Sequence, residues 1–177
     1  MAGSRVMTVH RTRRTHQSGQ ALVEFACVVF IMLAMVFGLI DFARAIYDRE
    51  VMTNLSREGS NLASRGTDLN TSATAVILGS QDLNLRLNGR VIITSVANNS
   101  GAFKITGQVS QGGLSASSRV GSGIGNPASL PVTAVTIPQP NQTVYITEVF
   151  YSYQPVTPIG KMLRLVMPST LYDVAYF

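Results

Sequence analysis

Ala21-Leu22-Val23-Glu24-Phe25-Ala26-Cys27-Val28-Val29-Phe30, continued by Ile31-Met32-Leu33-Ala34-Met35-Val36-Phe37-Gly38-Leu39-Ile40, is the stretch on which the fold turns. Glu24 is its only charge, and no proline interrupts it. A helix rises about 1.5 Å per residue, so these 20 residues reach across a hydrocarbon core of about 30 Å. A secretory signal carries a shorter apolar core, about 7–15 residues, and ends in a small-residue cleavage site. Here the apolar run is longer than that and passes straight into Asp41-Phe42-Ala43-Arg44-Ala45-Ile46-Tyr47, and it reads as a retained transmembrane helix.

On the N-terminal side lie Arg5, Arg11, Arg13 and Arg14 and no acid up to Gly19. On the far side the charges are mixed. Basic residues close to a span stay cytoplasmic, which predicts a cytoplasmic N-terminus and an extracytoplasmic C-terminal part. The same count removes a nucleic-acid reading. The chain carries +5 in all, and outside residues 1–19 there remain 10 Lys and Arg against 9 acids, a balance of +1. No basic surface is left to neutralise phosphates.

The single cysteine, Cys27, lies in the apolar run and reads as a small packing residue; no intramolecular disulfide is possible. Both histidines, His10 and His16, precede Gly19, so beyond the apolar run the parts for a Ser–His triad, a Cys–His dyad or an ordinary zinc site are missing. The remaining enzymatic option is a carboxylate-based hydrolase using Glu58, Asp68, Asp82, Glu148 or Asp173. These acids are scattered, and nothing in the sequence pairs two of them as acid and base. The expectation is no catalytic residue, no cofactor and no metal.

Past Ile40 the helical period continues through Phe42, Ala45, Ile46, Met52, Leu55 and Leu62, predicting one helix from Gln20 to about Arg65. Gly59 is its first soft point, and Gly66-Thr67-Asp68 reads as its stop. Asp41 and Arg44, followed by Asp48 and Arg49, read either as ion pairs along the helix face or as a docking band for partner helices. Residues 72–87 predict a second helix, and Arg90–Ala97, Phe103–Ser110 and Thr143–Gln154 read as strands. In the last strand Val144, Ile146, Glu148 and Phe150 share one face; Tyr145, Thr147, Val149, Tyr151 and Tyr153 share the other, and a sheet laid on the long helix would bury such alternation. Tyr151 and Tyr153 read as half-buried sheet residues ahead of a binding platform. Residues 111–142, rich in Gly, Ser, Pro and Asn, read as a flexible loop, and Gly121-Ser122-Gly123-Ile124-Gly125 has the wrong spacing for a nucleotide-binding fingerprint. Residues 160–167 suggest a short amphipathic helix and residues 172–177 an edge strand. The fold class is α+β: a long N-terminal helix, transmembrane in its first half, with a small antiparallel sheet.

Gly19-Gln20-Ala21-Leu22-Val23-Glu24-Phe25 resembles a type IV prepilin processing site. With Gly38-Leu39-Ile40-Asp41-Phe42-Ala43-Arg44-Ala45, Ser56-Arg57-Glu58-Gly59 and the tail Pro155-Val156-Thr157-Pro158, the chain is similar to the TadE-like proteins of tight-adherence pilus systems. The likeness covers about residues 19–65. It implies a pilin-like fold, cleavage after Gly19 by a prepilin peptidase, Gln20 as first mature residue, and an assembly role for Glu24 beside Phe25. There the fifth-position glutamate pairs with the terminal amine of a neighbouring subunit. Phe30 stands where the family often has proline, which implies a straighter helix. Set against that role, Glu24 has a plainer reading: a carboxylate at headgroup depth, favoured by the positive end of its helix.

The expected organisation is a basic cytoplasmic leader at 1–19, a transmembrane and extended helix at 20–66, and an extracytoplasmic α+β domain at 67–177. The resemblance implies a pseudopilin or minor pilin of the bacterial inner membrane, one that could enter the pilus itself. Its partners would be the peptidase, other pilin or TadE-like subunits, the pilus assembly platform and the membrane, with no nucleic acid. The alternative is a single-pass anchored adhesin or scaffold that is neither processed nor polymerised.

Overall fold

The computed structural model describes residues 15–80, 82–130, 139–163 and 169–177. The four leader arginines and His10 lie outside these residues. The chain forms a long helix laid across one face of a four-stranded antiparallel sheet, the α+β arrangement expected.

Helix α1 spans Thr15–Ser64, 50 residues or about 75 Å. It begins five residues before the expected Gln20, because nothing from Thr15 to Gly19 breaks a helix. Its end follows from Gly66, whose φ of 89° is open to glycine at low cost. There the Gly66 amide bonds the Ala63 carbonyl (3.1 Å) and the Thr67 amide reaches back to Leu62 (3.2 Å), a Schellman termination. Asp68 then caps α2 (Leu69–Gly79), its carboxylate accepting from the amides of Asn70 (3.0 Å) and Thr71 (3.3 Å).

The single helix expected over 72–87 is instead two. Helix α2 stops at Gly79, the Ser80 carbonyl collects the amides of Leu83 and Asn84, and Asn84 turns at φ 47° into the one-turn α3 (Leu85–Asn88). Local bonding to Ser80 defeats the apolar period there, while Leu83 and Leu85 still reach the core.

Strands β1 (Gly89–Asn99), β2 (Ala102–Gln111), β3 (Thr143–Ser152) and β4 (Thr170–Tyr176) pair in the order β2-β1-β3-β4. The three expected strands match these within a few residues, and the expected edge strand is β4. Between Ser95 and Val96 the β1–β2 register shifts by one, with Thr106 as the extra residue.

The main core lies between the sheet and the second half of α1. Met52, Leu55 and Ala63 of α1 meet Ala73 and Val76 of α2, Val91, Ile93, Val149 and Tyr151 of the sheet, and Tyr153 just past β3. Gly59 is not a soft point but a tight contact: a Cβ there would stand 2.9 Å from the Thr147 and Val76 side chains. Tyr151 and Tyr153 are buried, more completely than the half-burial expected.

The outer sheet face is covered as well, which corrects the flexible-loop expectation for the described part of 111–142. Val120 packs with Val96, Val144 and Ile146. The segment bonds back to the sheet through Ala128 N to Phe103 O (2.9 Å), Ile105 N to Asn126 O (3.0 Å) and Leu114 N to Gly89 O (3.0 Å). Residues 131–138 lie outside the described set. Helix α4 (Pro158–Leu163) realises the start of the helix expected at 160–167, and residues 164–168 are outside the described set.

Candidate functional site

The first half of α1 is where the functional expectations concentrate. None of its apolar window is buried by the other described residues, and α1 is the one helix among them long and apolar enough to cross a membrane. Leu22, Phe25, Phe30 and Leu39 all point away from the fold, Phe25 at 69% exposure, and Cys27 is exposed with them. Within this surface Gln20 and Glu24 lie one turn apart, and the Gln20 amide donates from Nε2 to Glu24 Oε1 at 2.9 Å. Gly19 sits inside the helix with open space where a Cβ would be.

One residue beyond the apolar run, Asp41 receives the C-terminal part of the chain. It is 3% exposed. Oδ1 accepts from the amides of Val156 (3.0 Å) and Thr157 (3.2 Å), and Oδ2 from the Thr157 hydroxyl. The Tyr153 hydroxyl donates to the Asp41 carbonyl at 2.7 Å. The Pro-Val-Thr-Pro sequence explains the local shape. Thr157 caps α4, its hydroxyl oxygen accepting from Gly160 N (3.1 Å), and Pro158 takes the first helical position, where a missing N–H costs nothing. Gly160 has no room for a side chain, since a Cβ would fall 1.8 Å from Asp41 Oδ2.

Asp41 is therefore engaged by a turn more than a hundred residues away, in place of an ion pair along its own helix. Burial alone raises its pKa, but the Thr157 hydroxyl and the amides of Thr157, Val156 and Gly160 outweigh that and hold the carboxyl below its ordinary value. The clasp is accordingly present in full above the ordinary aspartate range and is lost as pH falls through the lowered folded value. Asp41→Asn turns a charged acceptor into an amide whose donor faces other donors. We expect a loss of about 1.5–3 kcal/mol, the worth of hydrogen bonds to a charged group. Hydrogen exchange at the Val156 and Thr157 amides checks this; unchanged protection there would refute it.

Arg44 is exposed and shares a small surface recess with Tyr47, Asp48 and Asp82. The Tyr47 hydroxyl donates to Asp82 Oδ2 at 3.1 Å. Asp48 is buried with Oδ2 making no hydrogen bond, and burial pushes its pKa up, countered by Arg44 and reinforced by Asp82.

The acids raised as hydrolase candidates each have a local use or face solvent. Asp68 caps α2, Asp82 holds Tyr47, and Glu58 is exposed. Asp173 accepts from Ser56 (2.6 Å) and Thr53 (3.2 Å), tying β4 to α1. Glu148 is wholly buried, accepting from Arg119 N (2.8 Å), the Tyr172 hydroxyl (3.1 Å) and the Ser118 hydroxyl. The Arg119 guanidinium stacks 3.8 Å from the centre of the Tyr172 ring. The sequence signal for this anchor was a lone charge on the otherwise apolar Val144–Phe150 face.

Residues 19–61 match a family model described as TadE-like protein. The matched stretch holds the apolar half of α1 and the turns that enter the core, and leaves the sheet outside it. No curated protein and no solved structure matches the chain. The match and the apolar helix together fit a membrane-anchored protein that is TadE-like over residues 19–61.

Proposed function

With residues 19–61 of the chain TadE-like, we propose that the protein is a pseudopilin or minor pilin, a subunit that primes or joins a tight-adherence pilus. In this reading α1 crosses the bacterial inner membrane, residues 1–19 are a cytoplasmic leader, and the sheet domain lies on the extracytoplasmic side. A prepilin peptidase cuts after Gly19, and the mature subunit meets other pilin or TadE-like subunits at the assembly platform. The observation that carries this reading is an exposed carboxylate, Glu24, set inside an unburied apolar helix and hydrogen-bonded, among the described residues, to the neutral Gln20 amide. A lone charge in lipid is costly without a partner, and a neighbour's terminal amine at Gln20 supplies one of opposite sign.

Gly19 also suits cleavage mechanically. It lies in the second turn of α1, where glycine weakens a helix by about 1 kcal/mol relative to alanine and eases local unwinding. We expect the mature protein to begin at Gln20 and Gly19→Val to leave it at full length, read by intact mass and N-terminal sequencing from cells that hold the peptidase. Wild-type protein that keeps Met1 or Ala2 in such cells would leave an unprocessed anchor instead.

A further inference from the structure

We propose that the turn at residues 155–161 is a bilayer foot: Val156 and Lys161 rest in the headgroup layer of the membrane that α1 crosses. This rests on the membrane-anchored reading. The argument is one of depth. The 20 apolar residues 21–40 fill a hydrocarbon core of about 30 Å, and headgroups add about 5–7 Å on each side. Asp41, the next residue, therefore stands at the boundary between the two layers.

Val156 is hydrogen-bonded to that residue at 3.0 Å, and Gly160 is packed against its carboxylate. The turn has no freedom to stand elsewhere while Asp41 holds it. What it presents fits the site. Val156 is 56% exposed although six of the ten described valines outside residues 21–40 are buried, and Lys161 in the first turn of α4 is exposed with it. Phe42 and Arg44 of α1, both exposed, stand at the same level. Apolar groups that enter the acyl boundary, flanked by cations that meet lipid phosphates, are the usual composition of an interfacial contact.

The opposite end of the sheet supplies the control. Ile124 is 72% exposed, in the segment bonded to Ile105, and Ile105 pairs with Val96 beside Val144, at the other end of β3 from Tyr153. The chain contains no tryptophan, so each substitution gives a single reporter. The full-length protein is reconstituted into phosphatidylcholine vesicles carrying brominated acyl chains, as Val156→Trp, Lys161→Trp, Ile124→Trp and Phe30→Trp.

We expect Phe30→Trp to be quenched most strongly. Val156→Trp and Lys161→Trp should be quenched about threefold more than Ile124→Trp, with blue-shifted emission, as for aromatic side chains at headgroup depth. Two reporters at the turn guard against one being misfolded. If Phe30→Trp is quenched while Val156→Trp and Lys161→Trp match Ile124→Trp, the foot is wrong and the span stands. If Phe30→Trp itself escapes quenching, the spanning helix is wrong and the foot falls with it.

Discussion

Glu24→Ala is expected to leave the protein in the membrane at normal or higher level and to remove it from pili altogether. The two halves of this result have different causes. Insertion improves because a carboxylate in the spanning segment opposes transfer into lipid by up to a few kcal/mol, less near the interface, and alanine lifts that penalty. Under the proposed pairing, assembly fails because the charge that would attract a neighbour's terminal amine has gone. Glu24→Gln keeps the size and the hydrogen-bonding capacity and is expected to be nearly as harmful, which isolates charge as the operative property. The Gln20 side chain bonds Glu24 within one chain at 2.9 Å, but a neutral amide does not discharge the carboxylate. Sheared-pilus fractions probed for this subunit, with membrane levels measured in parallel, check the prediction. Full incorporation of Glu24→Ala at equal membrane level would return Glu24 to a headgroup-depth carboxylate with no assembly role.

Glu148→Ala carries the largest expected effect on stability. Its carboxylate is wholly buried on the outer sheet face and collects three donors, from Ser118, Arg119 and Tyr172. Alanine leaves all three without their acceptor. Leaving buried donors without their acceptor costs about 1–3 kcal/mol for each, a large share of the about 5–15 kcal/mol that holds a typical fold together. The first consequence is local: the 112–130 segment should lift from the sheet and become open to protease. Denaturation of the detergent-solubilised chain, with limited proteolysis, measures both. Glu58→Ala, on an exposed turn of α1, should stay within about 0.5 kcal/mol of the parent protein. If Glu148→Ala behaves like Glu58→Ala, the segment is held by Val120 packing and not by the carboxylate.

The elements that were legible in the sequence are those whose signal is local and periodic. The apolar run and the continuing helical spacing through Leu62 defined α1, and the two-faced alternation of Val144–Tyr153 defined β3. The order of residues 112–130 was not legible. Their Gly, Ser and Asn content carries no period, and their place is set by bonds to Phe103, Ile105 and Glu148 that only the folded sheet brings near. Asp41 shows the same limit from the other side. Its residue type was conspicuous at the end of the apolar run, but its partner, Thr157, lies 116 positions away. Gly59 misled because glycine in a helix reads as weakness, whereas here its missing side chain admits Thr147 and Val76.

Because α1 runs unbroken from lipid into the core, the number of residues between Glu24 and Asp41 sets an angle as well as a length. Each helical residue turns the chain by about 100° and advances it about 1.5 Å. One residue added among 25–40 would hardly change the fit to a bilayer, yet it would swing the whole sheet, clasped at Asp41, by about 100° around the helix axis relative to Glu24. The span therefore acts as a compass for the head. It aims one side of the sheet relative to Glu24, and α1 is one continuous helix from Thr15 to Ser64 across both.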